Sequence, residues 1–116
     1  MSEVSQLYKD SEKLKDEGKL EEAITKLNEI LAIDADHVLS HLALAVIYGR
    51  VGKHEEGCKH GEKACELEPT EAFNFTAMSV TYQRAWQATQ KQEYIQKAED
   101  AMAQAHAIQG TGGHGH

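Results

Sequence analysis

The sequence predicts an all-α fold, and three observations lead to this prediction. Apolar residues recur at three- and four-residue spacings along most of the 116 residues, as they do on amphipathic helices. The chain has a single proline, Pro69, and lacks the alternating apolar runs that are typical of strands. The segment GKLEEA at 18–23 reappears further along as GKHEEG at 52–57. The two segments are 34 residues apart, and an internal repeat at this offset predicts an array of similar helical units.

The first two helical hairpins follow from this repeat. Gly18 and Gly52 occupy equivalent turns, and each turn separates two stretches with helical periodicity. Asp36 is a suitable N-cap for the third helix, because its carboxylate can accept a hydrogen bond from a free backbone N–H. We therefore expect the first four helices at residues 3–17, 20–33, 37–51 and 54–67.

The third hairpin is expected to be longer than the other two. Pro69 ends the preceding helix because it has no backbone N–H to donate, and Thr70 then suits an N-cap. No glycine or proline interrupts residues 71–109, so the extra residues of this unit should lengthen both helices instead of forming a loop. This pattern predicts the last two helices at 71–88 and 91–108.

The end of the chain differs in composition from the rest. Residues 110–116 consist of glycine, threonine and histidine, and we expect them to form a disordered tail because they have nothing to bury. His114 and His116 do not make a metal site on their own, since a flexible tail provides no preformed geometry. Residues 1–109 are predicted to form one domain.

The second unit resembles the tetratricopeptide repeat family, whose period of about 34 residues equals the offset between Gly18 and Gly52. Its first helix, His41-x2-Leu44-Ala45-x2-Tyr48, looks like the W-x2-L-G-x2-Y stretch of that family. Further matches lie at Ala64 and Pro69, whereas the chain departs from the pattern at His41, Gly57 and Gly61. The resemblance covers about three repeats, at 4–37, 38–71 and 72–109. It implies a right-handed α-α superhelix of three hairpins and six helices.

Composition excludes several classes of function. The net charge of −7 opposes binding to nucleic acid and to anionic lipid surfaces. The sequence has neither a signal peptide nor an apolar run long enough to span a membrane, and its two cysteines are too few for a disulfide scaffold, so we expect a cytoplasmic protein. No nucleophile has a recognisable base and no phosphate-binding loop is present, so neither an enzyme nor a cofactor is predicted.

The segment GKHEEGCKHGEKAC at 52–65 resembles a metal or thiol site at first sight. His54 and Cys58 are four residues apart and share a helix face, but neither His60 nor Cys65 can complete the ligand set locally. The repeat places Cys58 and Cys65 in slots that hold apolar residues in the first unit. We therefore expect both cysteines to be buried and no metal to be bound.

Two glycines inside the fourth helix require an explanation. Gly57 and Gly61 each cost the helix about 1 kcal/mol relative to alanine. One interpretation is that the two small residues form a notch into which the third helix packs with its bulky side chains Leu44 and Tyr48. The alternative is a loose helix that becomes ordered on binding.

What the resemblance implies for function is a concave face, lined by the first helix of each hairpin, that binds an extended peptide or a partner helix. Family members that hold the acidic C-termini of heat-shock chaperones use a clamp of lysine, asparagine and arginine. At the corresponding places this chain has Tyr8, Glu12, Ala43, Phe73 and Ala77, so that partner is not expected.

We predict a non-catalytic adaptor or scaffold whose groove receives an apolar segment of a protein ligand, with two arginines at one end available to an acidic group. The predicted groove residues are Leu39, Leu42, Val46, Arg50, Phe73, Val80 and Arg84. Two alternatives remain: a homodimer that buries the groove or the last helix, and a weak metal- or thiol-linked sensor.

Overall fold

The part of the chain that the structure describes is built from six α-helices, without strands. The computed structural model describes the backbone of residues 2–113 and the side chains of residues 2–110. The helices follow in chain order as α1 Glu3–Asp16, α2 Leu20–Ile33, α3 Val38–Arg50, α4 His54–Leu67, α5 Ala72–Thr89 and α6 Gln92–Gly113. None of these helices is both long and apolar enough to cross a bilayer.

Consecutive helices pair into three hairpins, which stack in the order of the sequence. The helices α1 and α2, α3 and α4, and α5 and α6 pack against each other within the hairpins. Between hairpins, α2 packs on α3 and α4 packs on α5, while α3 also contacts α5. The prediction of an all-α solenoid of three hairpins is therefore confirmed.

The turns inside the first two hairpins repeat each other closely. Gly18 and Gly52 have φ angles of +80° and +85°, in the left-handed region where a side chain would be strained. After each glycine, the backbone N–H of Lys19 or Lys53 donates to a carbonyl five residues earlier, and both hydrogen bonds measure 2.8 Å. The shared GK sequence therefore forms the same turn twice, which puts α4 in the same relation to α3 as α2 has to α1.

The N-caps predicted for α3 and α5 are wrong by one residue. The cap of α3 is His37 instead of Asp36, and its ring Nδ1 accepts a hydrogen bond from the Ser40 backbone N–H at 3.3 Å. An imidazole nitrogen therefore caps α3, where the sequence predicted the carboxylate of an aspartate. The cap of α5 is Glu71 instead of Thr70, and its side chain makes no capping hydrogen bond.

The third hairpin is lengthened in the way the sequence predicts. The helix α5 has 18 residues, compared with 13 in α3, and α6 continues to Gly113. The turn between them is tight, with Gln90 at a φ of 62°. The helix α6 thus includes residues 110–113, where the sequence predicted the start of a disordered tail. Residues 114–116 lie outside the described part of the chain, and for them the tail stays a prediction.

The core lies between the hairpins in two clusters. One cluster joins α2 to α3, and its fully buried side chains include Leu27, Ile30, Leu44 and Ile47. The other joins α4 to the third hairpin and contains both cysteines together with Met78, Tyr82, Ala85, Tyr94, Ala98 and Ala101.

The two glycines of α4 mark places of close approach. A Cβ at Gly57 would lie 2.8 Å from the Ala45 carbonyl oxygen and 3.5 Å from the Tyr48 Cβ, so α3 fits closely against α4 there. A Cβ at Gly61 would instead lie 2.5 Å from the Met78 Sδ, which belongs to α5. The notch is confirmed for α3 at Gly57, while the side chain that fills the space at Gly61 comes from the next hairpin.

Candidate protein-binding face and arginine cleft

The predicted groove residues lie on the first helices of the second and third hairpins. Four of them follow each other on α3 at spacings of three and four residues, and three follow each other on α5 at spacings of seven and four, so each set forms one stripe. We call these two stripes together the first-helix face; they consist of Leu39, Leu42, Val46 and Arg50 on α3 and Phe73, Val80 and Arg84 on α5.

Large apolar side chains are exposed on this face. Phe73 is 64% exposed, Leu39 is 55% exposed and Val80 is 38% exposed. Among the residues whose side chains are described, only one other large apolar side chain is exposed to this degree, Ile33 at the end of α2. Leu42 is half-buried. Exposed aromatic and aliphatic side chains grouped on one face mark an interaction surface more than isolated ones do.

A cleft lies at one end of the first-helix face, where α3, α5 and the start of α4 meet. Its volume is about 270 Å³. We call it the arginine cleft; its lining consists of Ala45, Val46, Gly49, Arg50, His54, Thr81 and Arg84. The structure thus brings Val46, Arg50 and Arg84 together, whereas the other four predicted groove residues do not line the cleft.

The charge in the cleft comes from the only two arginines of the chain. The ion pairs found among the described residues all join a lysine to a glutamate, and none involves Arg50 or Arg84. Both guanidinium groups belong to exposed residues. Because the two arginines are separated by the same offset as Gly18 and Gly52, they occupy the same slot in consecutive repeats and lie side by side on neighbouring helices.

Sequence reasoning did not identify the other residues of the cleft. His54 comes from α4 and reaches the cleft because the Gly52 turn folds α4 back along α3. Gly49 leaves space beside it, since a Cβ there would lie 3.9 Å from the His54 Nδ1. Thr81 donates its hydroxyl proton to the Ala77 carbonyl at 3.1 Å. The short turn between Arg50 and His54 is the sequence feature from which the position of His54 beside the end of α3 could have been predicted.

Both cysteines are buried, as the repeat predicts. Cys58 is 5% exposed and Cys65 is 8% exposed, and both belong to the cluster that faces the third hairpin. Burial and, next, the charge of Glu62 raise the pKa of each thiol to about 11. A thiol with such a pKa is almost entirely protonated at neutral pH, which makes it a poor nucleophile and a poor metal ligand. Among the residues with described side chains, no three His, Cys, Asp or Glu groups come together as a metal site.

Two histidines on neighbouring helices make a contact that the sequence did not indicate. His41 on α3 and His60 on α4 face each other with 3.0 Å between their Nδ1 atoms. The His41 Nε2 lies 2.9 Å from the Ala35 carbonyl oxygen, which can only accept. The His41 tautomer that carries its proton on Nε2 donates to this carbonyl and leaves Nδ1 to accept from the Nδ1–H of His60. Tyr48 stacks on the His60 ring at 5.5 Å between centroids.

Solved tetratricopeptide-repeat (TPR) proteins share this architecture. The second TPR domain of Spaghetti (RPAP3), solved with the HSP90 peptide SRMEEVD, matches at a TM-score of 0.74 and 18% identity, over 92% of this chain and 93% of that one. MamA matches at a TM-score of 0.80 and 14% identity, over 95% of this chain and 60% of its own. The first TPR domain of Spaghetti matches at a TM-score of 0.60 and 14% identity, over 90% of both chains.

Comparison of the sequence alone finds neither a matching family profile nor a matching curated protein. The agreement in three dimensions nevertheless extends over nearly the whole chain, at a probability of 1.00 for each structure named above. The chain therefore has the TPR fold that its repeat resembles, and identities below one fifth show the fold alone.

Proposed function

We propose that this protein is a non-catalytic interaction module that binds a protein ligand on its first-helix face. The observation that supports this most is the exposure of Leu39 and Phe73 at equivalent slots of neighbouring helices. Packed helices lie about 8–10 Å apart, so these side chains form one apolar site and not two separate ones. An extended peptide or a partner helix with apolar side chains would cover it.

The apolar surface is large enough for a useful affinity. Covering about 300 Å² of it would contribute about 7 kcal/mol at 25 cal/mol per Å². Loss of translational freedom and ordering of the ligand offset a large part of that gain, and a micromolar dissociation constant is the expected outcome. This affinity suits an adaptor that exchanges its partners.

The related structures support the role but not the partner. The TPR domains of Spaghetti were solved with an HSP90 peptide, so domains of this shape can hold a peptide. The five clamp positions of this chain carry Tyr8, Glu12, Ala43, Phe73 and Ala77, which offer no cation to a terminal carboxylate. We therefore do not extend the HSP90 peptide to this chain, and we expect an apolar ligand segment instead.

The test compares two matched substitutions. A random-peptide library is selected on the protein, and the binding of enriched peptides is measured by fluorescence anisotropy. Leu39→Asp with Phe73→Asp should weaken binding at least tenfold, because charges replace the apolar site. Ile33→Asp is the control, since Ile33 is 52% exposed but lies at the end of α2. All variants should keep the helical signal of the parent protein, because each replaced side chain is already exposed.

Two results would contradict the proposal. If the double variant binds the enriched peptides as tightly as the parent, the ligand site lies elsewhere. If no peptide is enriched and light scattering shows a dimer that Leu39→Asp with Phe73→Asp dissociates, the face serves self-association.

A further inference from the structure

The arginine cleft is a place where positive charge is concentrated without a partner. The chain carries a net charge of −7, with 19 acidic residues. Its only two arginines nevertheless line one cleft, and no described acidic side chain forms an ion pair with either of them. Arginine differs from lysine in presenting a planar fork of N–H donors that matches a carboxylate. Two adjacent forks without an internal acid are suited to an acid supplied by a ligand.

Other groups at the cleft strengthen this interpretation. The His54 ring lines the cleft and takes part in none of the hydrogen bonds found among the described side chains. His54 is also the first residue of α4, whose N-cap Lys53 gives no side-chain hydrogen bond to the free N–H groups. The N-terminus of a helix carries a partial positive charge that favours an anion.

Three acidic residues limit how much negative charge the cleft can take. Glu55 and Glu56 are in the first turn of α4, and Asp16 occupies in α1 the slot that Arg50 and Arg84 occupy in α3 and α5. All three are exposed, so water screens them, but they oppose a dianion more than a monoanion. A single carboxylate therefore suits the site better than a phosphoryl group.

We propose that the arginine cleft binds one carboxylate of a peptide ligand whose apolar side chains rest on the rest of the first-helix face. This inference depends on the proposed function and adds the chemistry of the ligand to it. The cleft is separate from the clamp positions discussed above, because Arg84 lies seven residues, or about 10 Å along the helix, beyond Ala77.

The spacing of the ligand follows from the spacing on the helix. Leu39 and Arg50 are eleven residues apart on α3, which corresponds to about 16 Å along the helix axis at 1.5 Å per residue. An extended peptide advances about 3.3 Å per residue. A ligand that runs along α3 should therefore carry its acidic residue about five residues from its main apolar anchor.

The test uses synthetic peptides of glycine and serine that contain one leucine pair and one glutamate, with the distance between them varied. Amidated peptides carry the glutamate internally, and free-acid peptides without it test the C-terminal carboxylate as the source. Binding is measured by fluorescence anisotropy at low and at high salt. We expect the tightest binding at a separation of about five residues, and about tenfold weaker binding when glutamine replaces the glutamate.

Substitutions in the protein test whether the preference for glutamate arises in the arginine cleft. Arg84→Met should reduce the preference for glutamate over glutamine, and Arg84→Met together with Arg50→Met should remove it. Lys59→Met, which deletes the same charge from an exposed site on α4, should keep the preference. Arg84→Glu should bind a peptide with lysine in place of glutamate better than the original peptide.

Different results would contradict the carboxylate site and the apolar site. If the leucine pair binds equally well with glutamate and glutamine, or if the preference survives Arg84→Met together with Arg50→Met, the carboxylate site is wrong while the apolar site stands. If peptides of every separation fail to bind, both proposals are wrong.

Discussion

Replacing Gly57 by alanine measures how closely the helices of the second hairpin approach. A Cβ at this position would lie 2.8 Å from the carbonyl oxygen of Ala45, a backbone atom of α3 that cannot rotate away. Alanine gains about 1 kcal/mol over glycine inside a helix. Overpacking against a well-packed neighbour costs about 1–3 kcal/mol, and a contact with backbone belongs at the upper end of that range. We expect Gly57→Ala to lower the free energy of unfolding by about 1–2 kcal/mol.

Gly61→Ala is the matched control within the same helix. The new Cβ would lie 2.5 Å from the Sδ and 3.1 Å from the Cε of Met78, which are atoms near the end of a flexible side chain. Methionine can change rotamer to make room, and the gain in helix propensity then offsets most of the remaining cost. The free energy of unfolding should stay within about 1 kcal/mol of the parent protein, and the loss should be smaller than for Gly57→Ala.

Urea unfolding followed by far-UV circular dichroism measures both values. The comparison is valid where the transitions keep the same dependence on urea, because the midpoints then report stability directly. The close approach of α3 and α4 would be refuted if Gly57→Ala were as stable as the parent protein or more stable. If Gly61→Ala were the more damaging of the two substitutions, the expectation that the Met78 side chain moves aside would be wrong.

Two further predictions concern titratable groups. Burial and, next, the proximity of His41 lower the pKa of His60, while Glu56 acts in the opposite direction. The unfolded chain therefore binds a proton at His60 more readily than the folded chain does. The contribution of this group to the free energy of unfolding should be fully present above about pH 7 and should decrease as the pH falls towards 5. Urea midpoints across this range should show the loss, and His60→Gln should reduce it. Because the pKa of Cys58 and Cys65 is raised to about 11, both thiols should react slowly with a thiol reagent at pH 7.5 and fast in denaturant; rapid labelling of the folded protein would contradict their burial.

The helices could be predicted from sequence because the repeat determines where they end. Gly18 and Gly52 take a positive φ that other residues avoid, so each marks the end of a first helix in the sequence itself. The cap of α3 could not be predicted in the same way. His37 acts through a ring nitrogen whose role depends on the tautomer, and the adjacent aspartate is the better candidate on residue type alone.

The candidate site could be predicted in part for a related reason. The offset of one repeat places Arg50 beside Arg84, so their pairing follows from sequence arithmetic. His54 joins them only through the way α4 folds back after its turn, and the contact between His41 and His60 depends on the rotation of two helices about their axes. Such a rotation results from packing over the whole hairpin, for which a single sequence has no local signal.

The repeat also indicates which part of the array is suited to a ligand. At three slots of the first helices, the second and third hairpins carry the same kind of residue and the first hairpin carries a different kind. The first hairpin has polar or acidic residues where the others have apolar residues or arginines: Ser5 against Leu39 and Phe73, Glu12 against Val46 and Val80, and Asp16 against Arg50 and Arg84. Packing does not require this difference, because all three residues of α1 are exposed. Glu12 and Asp16 would repel an acidic ligand and the two arginines would attract it, so a ligand of the proposed kind is expected on α3 and α5 and not on α1.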